Sequence, residues 1–145
     1  MAQDKPEGTW KCYNAAMDRY EEICSNVLEE AEAAGMPQKQ QLRLELGLEE
    51  ILVNIISYAY DEGGKVWVRT SVTDQLFCLE FADHGKPFDP LQKDLRHDDN
   101  LPLEEREPGG FGIFLVKKYF HAVEYKYEEI AGAMANHLSL WLSLQ

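Results

Sequence analysis

Glu50 and Asn54 stand four residues apart inside "EEILVNIISYAY", a run dominated by apolar side chains. On a helix this spacing puts the carboxylate and the amide on one face, one turn apart, with Gly47 and Ser57 on the same stripe. A carboxylate so placed can take a proton from an attacking hydroxyl, and an amide oxygen is a suitable ligand for a hard cation. Such a stripe can equally be the solvated side of an amphipathic helix. The flanks are so apolar, however, that little of the helix is left for water. Burying either group without a partner is costly.

Two further stretches share this ambiguity. Asp83 closes the extended run "QLFCLEFAD" and is followed by "HGKPFDP". A strand-terminal Asp before a glycine is commonly a turn former, but it can also be a hydrogen-bond acceptor held at the mouth of a sheet. Gly85 would then let a flat ligand lie against bare backbone. Gly109, Gly110 and Gly112 precede the apolar "IFLVKKYF", so they read as a Gly-rich turn opening a helix, where backbone N–H groups can meet an anion. The Lys-Ser/Thr of a P-loop is missing, and no strand leads directly into these glycines.

The elements that must position these residues follow from periodicity. Ala16, Tyr20, Ile23, Cys24, Val27, Leu28 and Ala31 predict a helix from about Asn14 to Ala34, closed by Gly35, with Pro37 starting the next. A second helix is expected from about Gln38 to Tyr60, its body made of Leu44, Leu48, Ile51, Leu52, Ile55, Ile56 and Ala59. "KVWVRTSV" alternates and "QLFCLEFAD" is a second extended run, together two strands of a hairpin turning at Thr73-Asp74, and "TWKCY" reads as a short strand before the first helix. Residues 84–108 are rich in charge and proline, and a loop of that length is usually functional or disordered. Its functional reading is a lid closing over a ligand. "HAVEYKYEE" and "NHLSLWLSL" complete a second hairpin. The order predicts an α+β fold, a two-layer sandwich with a mainly antiparallel sheet and helices on one face.

Composition narrows the class. With 145 residues, 45% of them hydrophobic, one core and a single domain over 1–145 are expected. No run of about 18 apolar residues suggests a membrane span. No secretory signal opens the sequence, and a cytoplasmic protein is expected. Cys12, Cys24 and Cys78 form neither a CxxC pair nor a disulfide framework and read as reduced, small apolar residues. Fourteen Lys and Arg against 26 Asp and Glu give a formal charge of −12, which disfavours direct binding to nucleic acid. That acidity suits a basic protein partner or plain solubility.

Taken in order, a helix with Glu-x-x-x-Asn, a strand ending in Asp-x-Gly-x-Pro-Phe, a long loop and a Gly-Gly-x-Gly helix start resemble the Bergerat-fold (GHKL) ATPase domain. Within that superfamily "LELGLEEILVNIISYAY", "FADHGKPFDP" and "GGFGIFLVKKYF" are similar to the three boxes of the small anti-sigma factor serine/threonine kinases. The resemblance covers nearly the whole chain. No separate helix pair with a phospho-accepting His stands beside it, which disfavours a sensor histidine kinase.

The resemblance implies ATP and Mg2+ as cofactors. Asn54 falls where the family holds the metal, and Glu50 where it has its general base. Asp83 corresponds to the acceptor of the adenine amino group, Gly85 to the floor of the base pocket, and Gly109, Gly110 and Gly112 to the phosphate cradle. A sigma factor and a STAS-type anti-anti-sigma protein are the implied partners, and a homodimer the implied assembly. Three departures stand out. Tyr58 replaces a His common among relatives, the lid is acidic, and Asn136-His137 stand where the wider superfamily often has Gly-Thr, so no adenine contact is carried over to Asn136. The alternative function is a nucleotide-binding module that sequesters a partner without phosphotransfer.

Overall fold

The computed structural model describes residues 9–92 and 110–145, with the backbone alone at 110–112. Among these, five strands make one antiparallel sheet: β1 (Lys11–Asn14), β2 (Lys65–Thr73), β3 (Leu76–Asp83), β4 (Ala122–Ile130) and β5 (Ala133–Ser143). Their spatial order is β1-β2-β3-β5-β4. Three helices, α1 (Tyr20–Ala33), α2 (Gln38–Asn54) and α3 (Gly110–Tyr119), complete the expected α+β sandwich. None of the described helices is long and apolar enough to cross a membrane.

Alternation along the strands builds the core. Phe77, Leu79 and Phe81 of β3 point toward the helices with Val66 and Val68 of β2 and Leu138, Leu140 and Leu142 of β5. From the other layer come Ile23, Val27 and Ala31 of α1 and Leu44, Leu48, Ile51 and Leu52 of α2, at helical spacing. Each fully buried side chain of this size contributes about 1.5–3 kcal/mol. Ile113 and Val116 of α3 and the following Phe120 join this core. A Cβ at Gly47 would stand 2.8 Å from Phe120 Cζ, so the glycine lets α3 lie close to α2.

Several boundaries differ from the periodic expectation. The first helix begins later, because Asn14 pairs with Lys65 as strand, Ala15 N donates to Gly64 O at 2.8 Å, and a 3-10 turn at Met17–Arg19 intervenes. The β2–β3 turn sits at Asp74-Gln75, one residue beyond Thr73-Asp74. Both residues take positive φ (53° and 67°), the geometry that suits a two-residue hairpin. The second helix does reach Ala59, but its final stretch, Ile55–Ala59, is a π turn. Cys12, Cys24 and Cys78 are all free, and burial pushes the Cys78 thiol up to about 12, so it behaves as an inert apolar group.

The sheet face turned away from the helices carries a charge network across four strands. Arg69 of β2 grips Glu80 of β3 with two bonds, Nε to Oε2 at 2.9 Å and a terminal nitrogen to Oε1 at 2.8 Å. His137 of β5 lies between Glu80 (2.8 Å) and Glu128 of β4 (2.6 Å). Trp10 covers the Arg69 guanidinium at 4.1 Å. Burial opposes the charge on His137, but the hydrogen bonds to Glu80 and Glu128 overcome it and hold the imidazole above its ordinary pKa. Burial likewise works against the Glu80 carboxylate, and the bonds from His137 and Arg69 hold it below the usual range.

A raised histidine adds stability that is fully present below the unfolded value of 6.5 and is lost as pH rises through the folded value. Denaturant unfolding of the wild type against His137→Gln should therefore show a stability difference in favour of His137 at pH 6. That difference should shrink progressively above pH 6.5.

Candidate functional site

The C-terminal end of α2, its π turn and the inward faces of β3, β4 and β5 enclose a cavity of about 390 Å3. Ile51, Asn54, Ile55 and Tyr58 line one wall, with Phe81, Asp83, Asn136 and Leu138 on the sheet side. Lys86, Pro87 and Phe88 close the mouth from the segment after β3, and Tyr125 reaches in from β4. Apolar rings and branched side chains with a few convergent polar groups are the composition of a small-molecule site.

Asp83 is the most buried of those polar groups. It is 5% exposed at the end of β3, and its Oδ1 accepts the Gly85 N–H at 2.8 Å and Asn136 Nδ2 at 3.0 Å. Among the described residues no donor reaches Oδ2. Burial raises the carboxyl pKa, while the bonds from Asn136 and Gly85 and the neighbouring His84 pull against that rise. A buried acceptor oxygen beside a cavity is matched by a ligand N–H.

Glu50 and Asn54 stand as their spacing predicts, with Asn54 Nδ2 donating to Glu50 Oε2 at 3.3 Å. Both are half-buried, whereas Glu49 is exposed. The stripe they occupy runs from Gly47, sealed under Phe120, to the exposed Ser57. Because the amide nitrogen of Asn54 is turned to Glu50, its oxygen is the atom left to meet a hard cation. An amide oxygen is a ligand type that suits a hard cation such as Mg2+.

Gly85 has a reason of its own to be glycine. A Cβ there would stand 2.2 Å from Ala59 O, so the strand end packs directly on the backbone of the π turn. Tyr60 strengthens the junction, its hydroxyl accepting the His84 N–H at 2.7 Å and donating to Lys65 O at 2.5 Å. His84 stacks on Trp67 at 4.5 Å and reaches Ile130 O through Nε2 at 2.7 Å. Gly110 and Gly112 lie in the first turn of α3. Gly109 and residues 93–108 of the expected lid, with Lys93, Arg96 and Arg106, lie outside the described residues.

The structure thus brings Asn54 and Asp83 to one cavity, with Glu50 a turn away. It also brings in Asn136, to which the resemblance carried no contact, and Tyr125. Asn136 faces Asp83 directly in the β3–β5 register and is itself buried. Its Oδ1 accepts Tyr125 OH at 2.5 Å and Phe88 N at 2.9 Å. The signal was in the strand pattern, since Asn136 shares the inward parity of Leu138, Leu140 and Leu142. A polar residue at such a position needs a partner.

A family model described as the histidine kinase-like ATPase domain matches residues 13–138. The chain is 31% identical over 99 residues to the serine/threonine-protein kinase BtrW of Bordetella bronchiseptica, covering 67% of this chain and 66% of that protein. It is 27% identical over 86 residues to the serine-protein kinase RsbW of Halalkalibacterium halodurans, covering 57% and 53%. A third or more of each relative's length is thus left unmatched. Among solved structures, the Acinetobacter baumannii histidine kinase AdeS gives a TM-score of 0.49 at 14% identity, over 94% of this chain and 69% of that one. That is a likeness in outline and says nothing about the site.

Two stability measurements check this geometry without any ligand. Gly85→Ala should lower the unfolding temperature, because its methyl must displace the Ala59 carbonyl; an unchanged transition would contradict the packing. Asp83→Asn should raise it at pH 7. A raised carboxyl pKa makes ionisation in the fold costly above the unfolded value of 3.8, so the gain should vanish below that pH and level off once the folded carboxyl has ionised.

Proposed function

The chain belongs to the histidine kinase-like ATPase domain family, and on that premise we propose that it is an ATP-dependent serine/threonine protein kinase and anti-sigma factor. Its substrate would be a hydroxyl on a STAS-type anti-anti-sigma protein, and its sequestered partner a sigma factor. The observation that supports this best is the cavity itself. It sets a buried, one-ended acceptor, Asp83, opposite a helix that presents Asn54 and, one turn earlier, Glu50. The similarity to proteins named as serine and serine/threonine kinases favours transfer to a protein hydroxyl.

In this reading Asp83 Oδ2 accepts the exocyclic N–H of adenine, and the base lies between Ile51, Ile55 and Leu138. The triphosphate extends toward Asn54 and the first turn of α3, where Gly110 and Gly112 offer backbone N–H groups near its positive end. Bound Mg2+, held through the Asn54 oxygen, would supply charge neutralisation at the phosphates. Glu50 accepts the proton of the attacking serine or threonine hydroxyl. The new bond joins that oxygen to the γ-phosphorus, and the bond to the β,γ-bridging oxygen breaks. ADP leaves, and Glu50 returns its proton to solvent. The acidic surface, with formal charge −12, suits a partner carrying a basic face. A homodimer in the cytoplasm completes the proposal.

The decisive experiment mixes the protein with Mg-ATP and STAS-domain proteins of the same genome, and looks for phosphoserine or phosphothreonine. Tight ATP binding with no phosphorylated product would sink the kinase reading and leave the sequestering module. Glu50→Gln should slow phosphotransfer by about 100- to 10,000-fold, the usual contribution of a general base, while ATP still binds. Asp83→Asn should weaken ATP binding by about 1.5–3 kcal/mol, the loss of a hydrogen bond to a charged group. An unaltered ATP affinity there would mean that the base sits elsewhere.

A further inference from the structure

Asp83 can discriminate between bases only if its carboxylate stays charged and keeps one oxygen turned to the cavity. Nothing in Asp83 itself guarantees either condition. The χ2 torsion of an aspartate is broad and close to two-fold, so the two oxygens are interchangeable unless the surroundings tell them apart. The surroundings do so through the Gly85 N–H and Asn136.

The Asn136 amide is bound on both sides. Its Nδ2 donates to Asp83 Oδ1 at 3.0 Å and Lys86 O at 2.9 Å, with Gly85 O at a longer 3.4 Å. Its Oδ1 accepts Phe88 N–H at 2.9 Å and Tyr125 O–H at 2.5 Å. Turning the amide over would set its oxygen against three acceptor oxygens and its NH2 against the Phe88 N–H, which can only donate. The chemistry of the neighbours therefore fixes the orientation. With Asn136 fixed, Asp83 Oδ1 is saturated by two N–H groups and Oδ2 is the oxygen left for a ligand.

We propose that Asn136, locked by Tyr125 and the Phe88 amide, is the positioning residue that sets base selectivity at this cavity. It presents Asp83 Oδ2 as a pure acceptor, which admits a purine with an exocyclic amino group at C6 and rejects one with a keto oxygen there. The inference rests on the reading of the cavity as a purine nucleotide site. A keto oxygen facing Oδ2 would put two acceptors in contact with no proton between them. Without the Asn136 donor the buried carboxyl loses a bond that favours its charged form, and the Gly85 N–H alone holds Oδ1. A carboxyl held by fewer donors takes up a proton more readily, and in that form it donates to a keto oxygen, which narrows the distinction between the two purines. The same amide also ties the backbone of Gly85, Lys86 and Phe88 to β5, which shapes the mouth of the cavity around the base.

The test measures equilibrium binding of Mg-ATP and Mg-GTP to the full chain, its Asn136→Ala variant and its Tyr125→Phe variant, with thermal unfolding of each. The wild type should favour ATP, and N136A should lower the ATP-to-GTP affinity ratio about tenfold, the loss of one buried charge-assisted bond. Y125F frees one lone pair of Asn136 and should lower the ratio about threefold. If N136A does not fold, Y125F decides: a lowered ratio supports the proposal and an unchanged one overturns it. A folded N136A that weakens both nucleotides equally, with the ratio preserved, makes Asn136 merely structural and overturns the proposal alone. Failure of the wild type to bind either nucleotide overturns the cavity reading as well.

Discussion

A carboxylate buried at the end of a strand is the constraint around which this molecule is arranged. Asp83 is 5% exposed, and among the described residues no cationic side chain pairs with it directly. Its charge is held by two neutral N–H donors on one oxygen, supplied by the turn it begins and by the strand beside it. Keeping such a group in place requires that β5 lie next to β3 in fixed register, that the chain turn sharply at Gly85, and that the π turn give way to that glycine. Each of these features looks local when taken singly. Together they meet the need of one acceptor.

Much of this was legible in the residues. Helix period placed Glu50 and Asn54 on one face, the extended run that Asp83 closes placed it at a strand end, and both placements are those of the structure. What escaped was non-local. Asn136 lies 53 positions from Asp83, and only the β3–β5 register brings them opposite each other. Comparison with a Gly-Thr pattern drew attention away from it, although its parity among inward leucines marked it as a buried polar group in need of partners. Glu80 and Arg69 form a similar case. Their pairing follows from a hairpin whose turn falls at Asp74-Gln75, and a one-residue error there shifts every cross-strand partner.

β5 serves two environments with adjacent residues. Asn136 points into the cavity and His137 into the charge network on the other face. One strand thus anchors neutral hydrogen bonds on one side and ion pairs on the other, and the sheet between them separates two kinds of electrostatics. On the cavity side a charge is kept with neutral donors, which leaves it free to act on a ligand. On the outer side Arg69, Glu80, His137 and Glu128 satisfy each other and hold four strands together. Charges consumed by each other contribute to rigidity, and a charge left with one open oxygen contributes to recognition.

The π turn at Ile55–Ala59 gives this site an unusual kind of memory. A π turn holds one residue more than the α-helix it interrupts, so it amounts to a one-residue insertion in the winding. Reverting that insertion would restore regular winding after Asn54 and rotate Tyr58 and Ala59 away from their present places at the cavity wall. Ala59 would no longer meet Gly85, and the pressure keeping position 85 a glycine would disappear with the extra residue. Lineages that changed the spacing between Asn54 and Tyr60 would be expected to have changed position 85 as well.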